Sequence, residues 1–293
     1  MTSSRPTASW TRAKPSRSSS APDPHAPNRR MVEASSMRST FPRSPTPPPW
    51  WAGRARPRRP AGTAPSCGHI QWSPGVAPLD PWVLLGAIAQ VTERVRLGTL
   101  VTPLSRRCPH VVAKHLTTLD HLSGGRAVLG VGLGEPVDRD FGDLGDEVDA
   151  RVRAAMLDES LELIDQLMRV PTDFTGEHYR IKADLHPRPV QRPRRPIWVA
   201  GVVPNRKPLA RALRWDGVAP VAPGRHLTPD ELAAHLARLE SPPRAGWEIV
   251  VHRLEGIPAQ EYAEAGATWL VYSPSPTSEG WESEITEMIR TGP

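Results

Sequence analysis

Three glycines at alternate positions, Gly130, Gly132 and Gly134, close the stretch "HLSGGRAVLGVGLGEP" (121–136) and lead to a carboxylate, Glu135. A glycine run of this kind could cradle a phosphate. A dinucleotide loop needs a strand, then G-x-G-x-x-G, then a helix whose first N–H groups meet the pyrophosphate. Here the run is G-x-G-x-G, lies inside an apolar strand pattern and enters the acidic loop "EPVDRDFGDLGDEVD". The next helical pattern begins about 15 residues later, so a phosphate would meet carboxylates. The spacing suits close approach instead, of a neighbouring backbone or of a flat ligand.

Little else in the sequence points to chemistry by itself. The two cysteines, Cys67 and Cys108, have no paired spacing, so neither a disulfide framework nor a zinc site is expected, and a reducing, cytoplasmic setting fits. His110, His115, His121 and His178 read as helix-surface or structural residues, and Trp82, Trp198, Trp215 and Trp269 as core.

The elements that must position these residues alternate. "DPWVLLGAIAQVTERV" opens with Asp80 at a cap and Pro81 in the first turn, with apolar residues 84, 85, 88 and 91 at helical spacing. "VRLGTLV" (95–101) reads as a buried strand. "PHVVAKHLTTLDHL" (109–122) reads as a helix with apolar positions 112, 116, 119 and 122, stopped at Gly124–Gly125. "RAVLGVGLG" is the next strand. A long helix over roughly 150 to 168 puts 157, 161, 164 and 168 on one face, and a looped section follows. Strands at 196–201, 215–221, 247–252 and 267–273 then alternate with helices at 205–214, 228–240, 258–266 and 279–290. Strands apolar on both faces predict a parallel sheet covered by helices, either doubly wound or a closed (β/α)8 barrel, and the strand count favours the barrel.

The formal charge of +6 is unevenly placed. Residues 1–68 carry 12 Lys and Arg against 2 Asp and Glu, whereas the rest carry 25 against 29. The first segment also holds 13 Pro and 12 Ser but no Leu or Ile. Such a composition cannot bury enough apolar surface to order itself, which predicts disorder over 1–68 and a folded domain over 69–293. Nucleic acid is not an expected partner, since no aromatic residue is interleaved for base stacking. The longest apolar run, "PWVLLGAIAQV", is about half of the roughly 20 residues a membrane helix needs.

"RVRLGTLVTPLSRRCPHVVAKHLTTLDHLSGGRAVLGVGLGE" resembles the core of the luciferase-like monooxygenase family, the flavin- or deazaflavin-dependent barrel enzymes related to bacterial luciferase. "TGEHYRI", "RPVQRPRRPIWVAG" and "RWDGV" continue the resemblance in order over roughly residues 69 to 290. It implies a (β/α)8 barrel with a long insertion after the fourth barrel strand. It also implies a cofactor across the carboxyl-terminal mouth: reduced flavin mononucleotide (FMN), or alternatively a deazaflavin coenzyme. The ring would back onto Thr99 and Leu100, with a non-prolyl cis peptide between them, and onto Leu133 and Gly134. Ala200, Gly201 and Val202 would hold the phosphate, with Arg206 nearby. Catalytic roles are implied for Glu135, as a proton donor, and for His69, which matches a family Asp-His pair although Gly68 stands in place of the aspartate.

The family's first strand, helix and second strand have no counterpart in residues 1–68, which suggests that this segment is out of frame or replaces them. The activity implied is a flavin-dependent monooxygenase or other oxidoreductase acting on a small organic substrate. The alternatives are deazaflavin-dependent hydride transfer and an inactive cofactor-binding or structural relative. Molecular oxygen, a separate flavin reductase and homodimerisation are further partners that the resemblance implies.

Overall fold

The computed structural model describes residues 80–271. The expectations for residues 1–68, for His69 and for the helix over 279–290 lie outside the described residues.

The first helix, α1 (Pro81–Val91), starts where Asp80 accepts hydrogen bonds from the backbone N–H groups of Trp82 and Val83. Strand β1 (Leu97–Pro103) follows, then α2 (Pro109–Ser123) and β2 (Ala127–Gly132). Gly124 ends α2 in the left-handed conformation, with φ of 66°, as the glycine pair predicts. The acidic segment holds a short helix, α3 (Val137–Asp140), and a single 3-10 turn, before the long α4 (Ala150–Arg169). Leu157, Leu161, Ile164 and Met168 form the buried face of α4.

The section expected to be a loop is instead an antiparallel hairpin, β3 (Thr172–Thr175) and β4 (Arg180–Ala183). Its turn is tied to α4 by Glu159, which accepts from the backbone N–H groups of His178 and Tyr179 at 2.9 and 2.7 Å. The chain returns through β5 (Ile197–Val202), α5 (Arg206–Leu213), β6 (Gly217–Val221), α6 (Pro229–Leu236), β7 (Glu248–His252), α7 (Ala259–Glu264) and β8 (Trp269–Val271). A reciprocal capping box between Thr228 and Glu231 fixes the start of α6.

β1, β2, β5, β6, β7 and β8 lie side by side in that order, every pair parallel. This parallel sheet is the arc of a (β/α)8 barrel, as the strand count predicts. Side-chain alternation divides it into two faces. Leu97, Leu129, Val131, Ile197, Val199 and Val218 pack outward into the core shared with the helices. Val128, Trp198, Ala219, Val250 and Val271 form an inner cluster, with Leu100, Ala200 and Trp269 packed against it. At the amino-terminal half of that inner face, Glu248 accepts from the indole N–H groups of Trp198 and Trp269 at 2.8 and 2.9 Å and from Arg96 at 3.1 Å. Of the four tryptophans expected in the core, Trp82, Trp198 and Trp215 are buried and Trp269 is half-buried. Leu122 and Val91 are exceptions to the helical reading, since both are exposed and the helices bury Ser123 and Ala89 instead.

Among the described residues, no helix is long and apolar enough to cross a membrane.

Candidate functional site

In a parallel (β/α) sheet, ligand-binding groups gather where the strands end and the chain turns into the helices. The glycine run reaches that rim on β2, and its purpose is now visible. A Cβ on Gly130 would lie 2.2 Å from the carbonyl oxygen of Thr99, and one on Gly132 would lie 3.0 Å from the side chain of Val101. β1 therefore presses its backbone at Thr99 and its side chain at Val101 into the space that side chains on β2 would fill. Of the two explanations the sequence allows, the neighbouring backbone accounts for Gly130.

The contact goes with an irregularity in β1. Thr99 pairs with Leu129, but Thr102 pairs with Val131, so β1 carries one extra residue between these points. The non-prolyl cis peptide lies in this bulge, at Leu100–Val101. That corrects the expected Thr99–Leu100 by one position. Thr99 is still in regular register with β2, and its hydroxyl donates to the Gly130 carbonyl at 3.1 Å while accepting from Thr102 at 2.7 Å. Thr99 is buried and acts on the rim through Gly130, whereas Leu100 packs on the inner face.

Past β2, the chain is held by a cation–aromatic stack. Phe141 is fully buried between two guanidinium groups, with Arg153 4.6 Å and Arg106 4.9 Å from its ring centroid. Arg153, from the second turn of α4, donates to the carbonyls of Leu133 and Gly134 at 3.1 and 3.2 Å. Arg106 donates to the Asp140 carbonyl at 2.6 Å and pairs with its carboxylate at 3.3 Å, both side chains being buried. Gly134, with φ of 85°, leaves no room for a Cβ, which would sit 2.8 Å from both Phe141 and Pro103. Glu135 is the next residue and is exposed at the rim. Its backbone is therefore anchored while its carboxylate meets solvent. Sequence reasoning found Glu135 but not Arg153 and Phe141, which fix the peptide before it.

At the end of β5, Ala200 and Gly201 are half-buried and Val202 is exposed. A Cβ on Gly201 would lie 2.1 Å from the Pro208 ring, so this glycine lets α5 start close against the strand. The start of α5 is unusual. Asn205 at the cap makes no side-chain hydrogen bond, the first turn holds no acid, and the first two residues, Arg206 and Lys207, are basic and exposed. Cations at the positive end of a helix are disfavoured by about 0.3–1 kcal/mol each. The open N–H groups and both cations together make a donor set suited to a phosphate.

The rim has a second polar feature that the sequence did not reveal. His252 ends β7 and stacks on His226, from the loop after β6, with ring centroids 5.1 Å apart and planes 6° from parallel. Burial lowers the His252 pKa to about 4, with His226 adding to the effect, and burial also lowers that of His226. The signal that could have found them is positional: His252 is the polar last residue of an apolar strand.

The expected surface histidines His110, His115 and His121 are exposed, and His178 is half-buried. His110 and His115 line a groove of about 560 Å³ between α2 and β4, together with Lys114, Arg180 and Lys182. None of its walls comes from the six-stranded sheet. Cys108 is a free, exposed thiol. Among the described residues, no three His, Cys, Asp or Glu side chains are grouped so as to hold a metal.

The sequence profile of the luciferase-like monooxygenase family matches residues 64–243. The chain belongs to the luciferase-like monooxygenase family. Luciferase-like proteins are oxidoreductases, and relatives of this chain bear on the general kind of chemistry. An uncharacterized protein of Mycobacterium tuberculosis is 41% identical over 138 residues, covering 46% of this chain and 48% of that protein. An F420-dependent glucose-6-phosphate dehydrogenase of Amycolatopsis mediterranei is 37% identical over 116 residues, covering 38% of this chain and 35% of the relative. The chain thus spans half or less of the length of these curated relatives. Among solved structures, the coenzyme F420-dependent tetrahydromethanopterin reductase of Methanopyrus kandleri superposes with a TM-score of 0.58 at 16% identity, over 72% of this chain and 86% of that one. That likeness concerns the fold.

Proposed function

We propose that this luciferase-like chain binds a phosphate-bearing flavin-type cofactor across the carboxyl-terminal rim of its sheet and oxidises or reduces a small organic molecule there. The observation that carries the reading is the uncapped, doubly basic start of α5 at the end of β5. Its N–H groups, with Arg206, would hold the phosphate. Leu100, Leu133, Gly134, Ala200, Gly201 and Val202 would give the ring and its chain an apolar seat, and Thr99 would support that seat through the Gly130 carbonyl. When bound, the cofactor supplies the redox chemistry, and the protein orients and shields it. Glu135 would give or take a proton at its carboxylate oxygen, on a peptide that Arg153 holds in place. His69 is the second proton-transfer candidate, on the resemblance alone.

For the finer activity, reduced FMN with oxygen in a monooxygenase reaction is the first reading, in line with the family's description. The second is hydride exchange with a deazaflavin. It is favoured by a carboxylate at the position of Glu135 and by the F420-dependent relative. The domain reading, a basic segment over 1–68 ahead of a barrel over 69–293, is proposed with both, as is a homodimer.

Optical titration of the full chain tests the shared core of both readings. FMN or the deazaflavin coenzyme is expected to bind, and riboflavin, which lacks the phosphate, about tenfold or more weakly. Arg206→Glu should remove that preference. Equal binding of FMN and riboflavin, or no binding of either cofactor, would overturn the reading.

A further inference from the structure

The groove of about 560 Å³ between α2 and the hairpin has one wall made by a strand edge. Four consecutive residues of β4, Arg180–Ala183, line it, and no residue of β3 does. Among the described residues, β3 and β4 form a sheet of two strands, so β4 turns its second edge into the groove. The bond from the Gly176 N–H to the Tyr179 carbonyl, at 2.9 Å, sets the phase of the hairpin. Main-chain bonding alternates along an antiparallel pair, so Ile181 bonds to Phe174 and Ala183 to Thr172. Arg180 and Lys182 therefore aim their main-chain N–H and C=O groups away from β3, along the open edge.

Such an edge accepts another strand, and charge decides which one. The side chains of Arg180 and Lys182 stand on one face of the hairpin, while Ile181 and Ala183 stand on the other and pack against the core. Across the groove, α2 contributes Val111 and Lys114. Lys114 donates to the His186 carbonyl, a neutral partner that leaves its charge in place. Arg180 makes no ion pair among the described residues. Lys182 meets Asp173 at 3.2 Å with both side chains largely exposed, a pair that contributes little and exchanges with other anions. Among the described residues, no carboxylate lines the groove. A second copy of β4 would set Arg180 and Lys182 against their own kind, which disfavours self-pairing. An acidic strand would meet cations on both walls.

We propose that an extended acidic segment of a partner protein binds in this groove as a third strand on the open edge of β4. The four residues of β4 span about 13 Å, which matches a segment of about four or five residues. Acids across from Arg180 and Lys182 then fall at alternate positions of that segment. Apolar residues between them fall on the face of Ile181 and Ala183. The inference goes beyond the proposed function and needs neither cofactor nor substrate at the rim of the six-stranded sheet.

The probe is an acetylated, amidated peptide of sequence Glu-Val-Glu-Val-Glu, titrated at low salt into the full chain labelled with nitrogen-15. Saturable NMR shifts are expected at the Arg180 and Lys182 amides, with slower hydrogen exchange at both. The peptide Lys-Val-Lys-Val-Lys, capped in the same way, should bind about tenfold or more weakly. So should the acidic peptide N-methylated along its backbone, which keeps the charges but cannot pair with a strand. Arg180→Glu together with Lys182→Glu, both at exposed positions, should reverse the preference between acidic and basic peptides. If that variant loses its native circular dichroism, Lys114→Glu serves in its place and should narrow the preference. The proposal is overturned if the β4 amides do not shift, if acidic and basic peptides bind alike, or if a folded charge variant leaves their preference unchanged. It is also overturned if N-methylation leaves binding unchanged, since charge alone would then hold the peptide. None of these outcomes touches the cofactor reading, and a failure to bind cofactor leaves this one standing.

Discussion

Arg153→Met should loosen the rim beneath Glu135. Arg153 is 2% exposed and makes two hydrogen bonds, to the Leu133 and Gly134 carbonyls, while lying 4.6 Å from the Phe141 ring centroid. Methionine fills similar space and keeps a contact with the ring, but offers no donor. Hydrogen bonds from a charged group contribute about 1.5–3 kcal/mol each, and two carbonyls of half-buried residues would lose theirs. Removing a buried charge returns part of this, since its desolvation penalty disappears too. The net loss expected is about 2–4 kcal/mol, or a Tm lower by roughly 5–15 °C for a chain of this size. Both bonds come from one terminal nitrogen, Nη1, so Arg153→Lys keeps a charged donor but on a shorter side chain without the planar group over Phe141, and about half of that loss is expected. Thermal and urea unfolding of the three proteins measure both effects. A Met variant within about 0.5 kcal/mol of the parent would refute the assignment of Arg153 as the anchor of this peptide.

Three further predictions follow from geometry and charge. Gly130→Ala would drive a Cβ to 2.2 Å from the Thr99 carbonyl and should destabilise the protein by about 3 kcal/mol or more, whereas Gly224→Ala, with open space around it and φ of 69°, should lose only about 1–2 kcal/mol; equal losses in urea melts would contradict this account of the run. The stability of the chain should fall on acidification from pH 7 to 5, because His252, with its folded pKa lowered to about 4, binds fewer protons than in the unfolded chain between its unfolded value near 6.5 and that point. Its stabilisation is complete above the unfolded value and is lost as pH drops, by about 2 kcal/mol over this interval. A His252→Phe variant should lack that share of the pH dependence, and an unchanged profile would count against the burial of this imidazole. Glu231, held near a pKa of about 2 first by Arg225 and then by the Thr228 backbone N–H, should still be ionised at pH 3.5 in a carboxyl-carbon NMR titration.

What could be read in advance was whatever is encoded within a few residues. Asp80–Pro81 and Gly124–Gly125 each mark a helix end through contacts that span at most five positions. The alternation of apolar strands with amphipathic helices was equally local, and it indicated the parallel sheet. The hairpin Thr172–Thr175 with Arg180–Ala183 was hidden because its strands are short, largely polar and fastened by Glu159 from the preceding helix. The purpose of Gly130 was hidden because the group that excludes its side chain is the Thr99 carbonyl, on the neighbouring strand β1. The one-residue error in the cis peptide has the same origin: the bulge exists only in the register of β1 against β2. His226 and His252 are 26 positions apart and meet only because β6 and β7 are neighbours.

The central claim is that the start of α5 receives the phosphate of a flavin-type cofactor. Amide NMR of the full chain, labelled with nitrogen-15 and titrated with FMN and then separately with the deazaflavin coenzyme, examines those groups directly. The account predicts that at least one cofactor saturates and that the Arg206 and Lys207 N–H signals move among the most, with smaller shifts at Leu100, Gly134 and Gly201. A cofactor that binds tightly while the Arg206 and Lys207 amides stay where they were would contradict it.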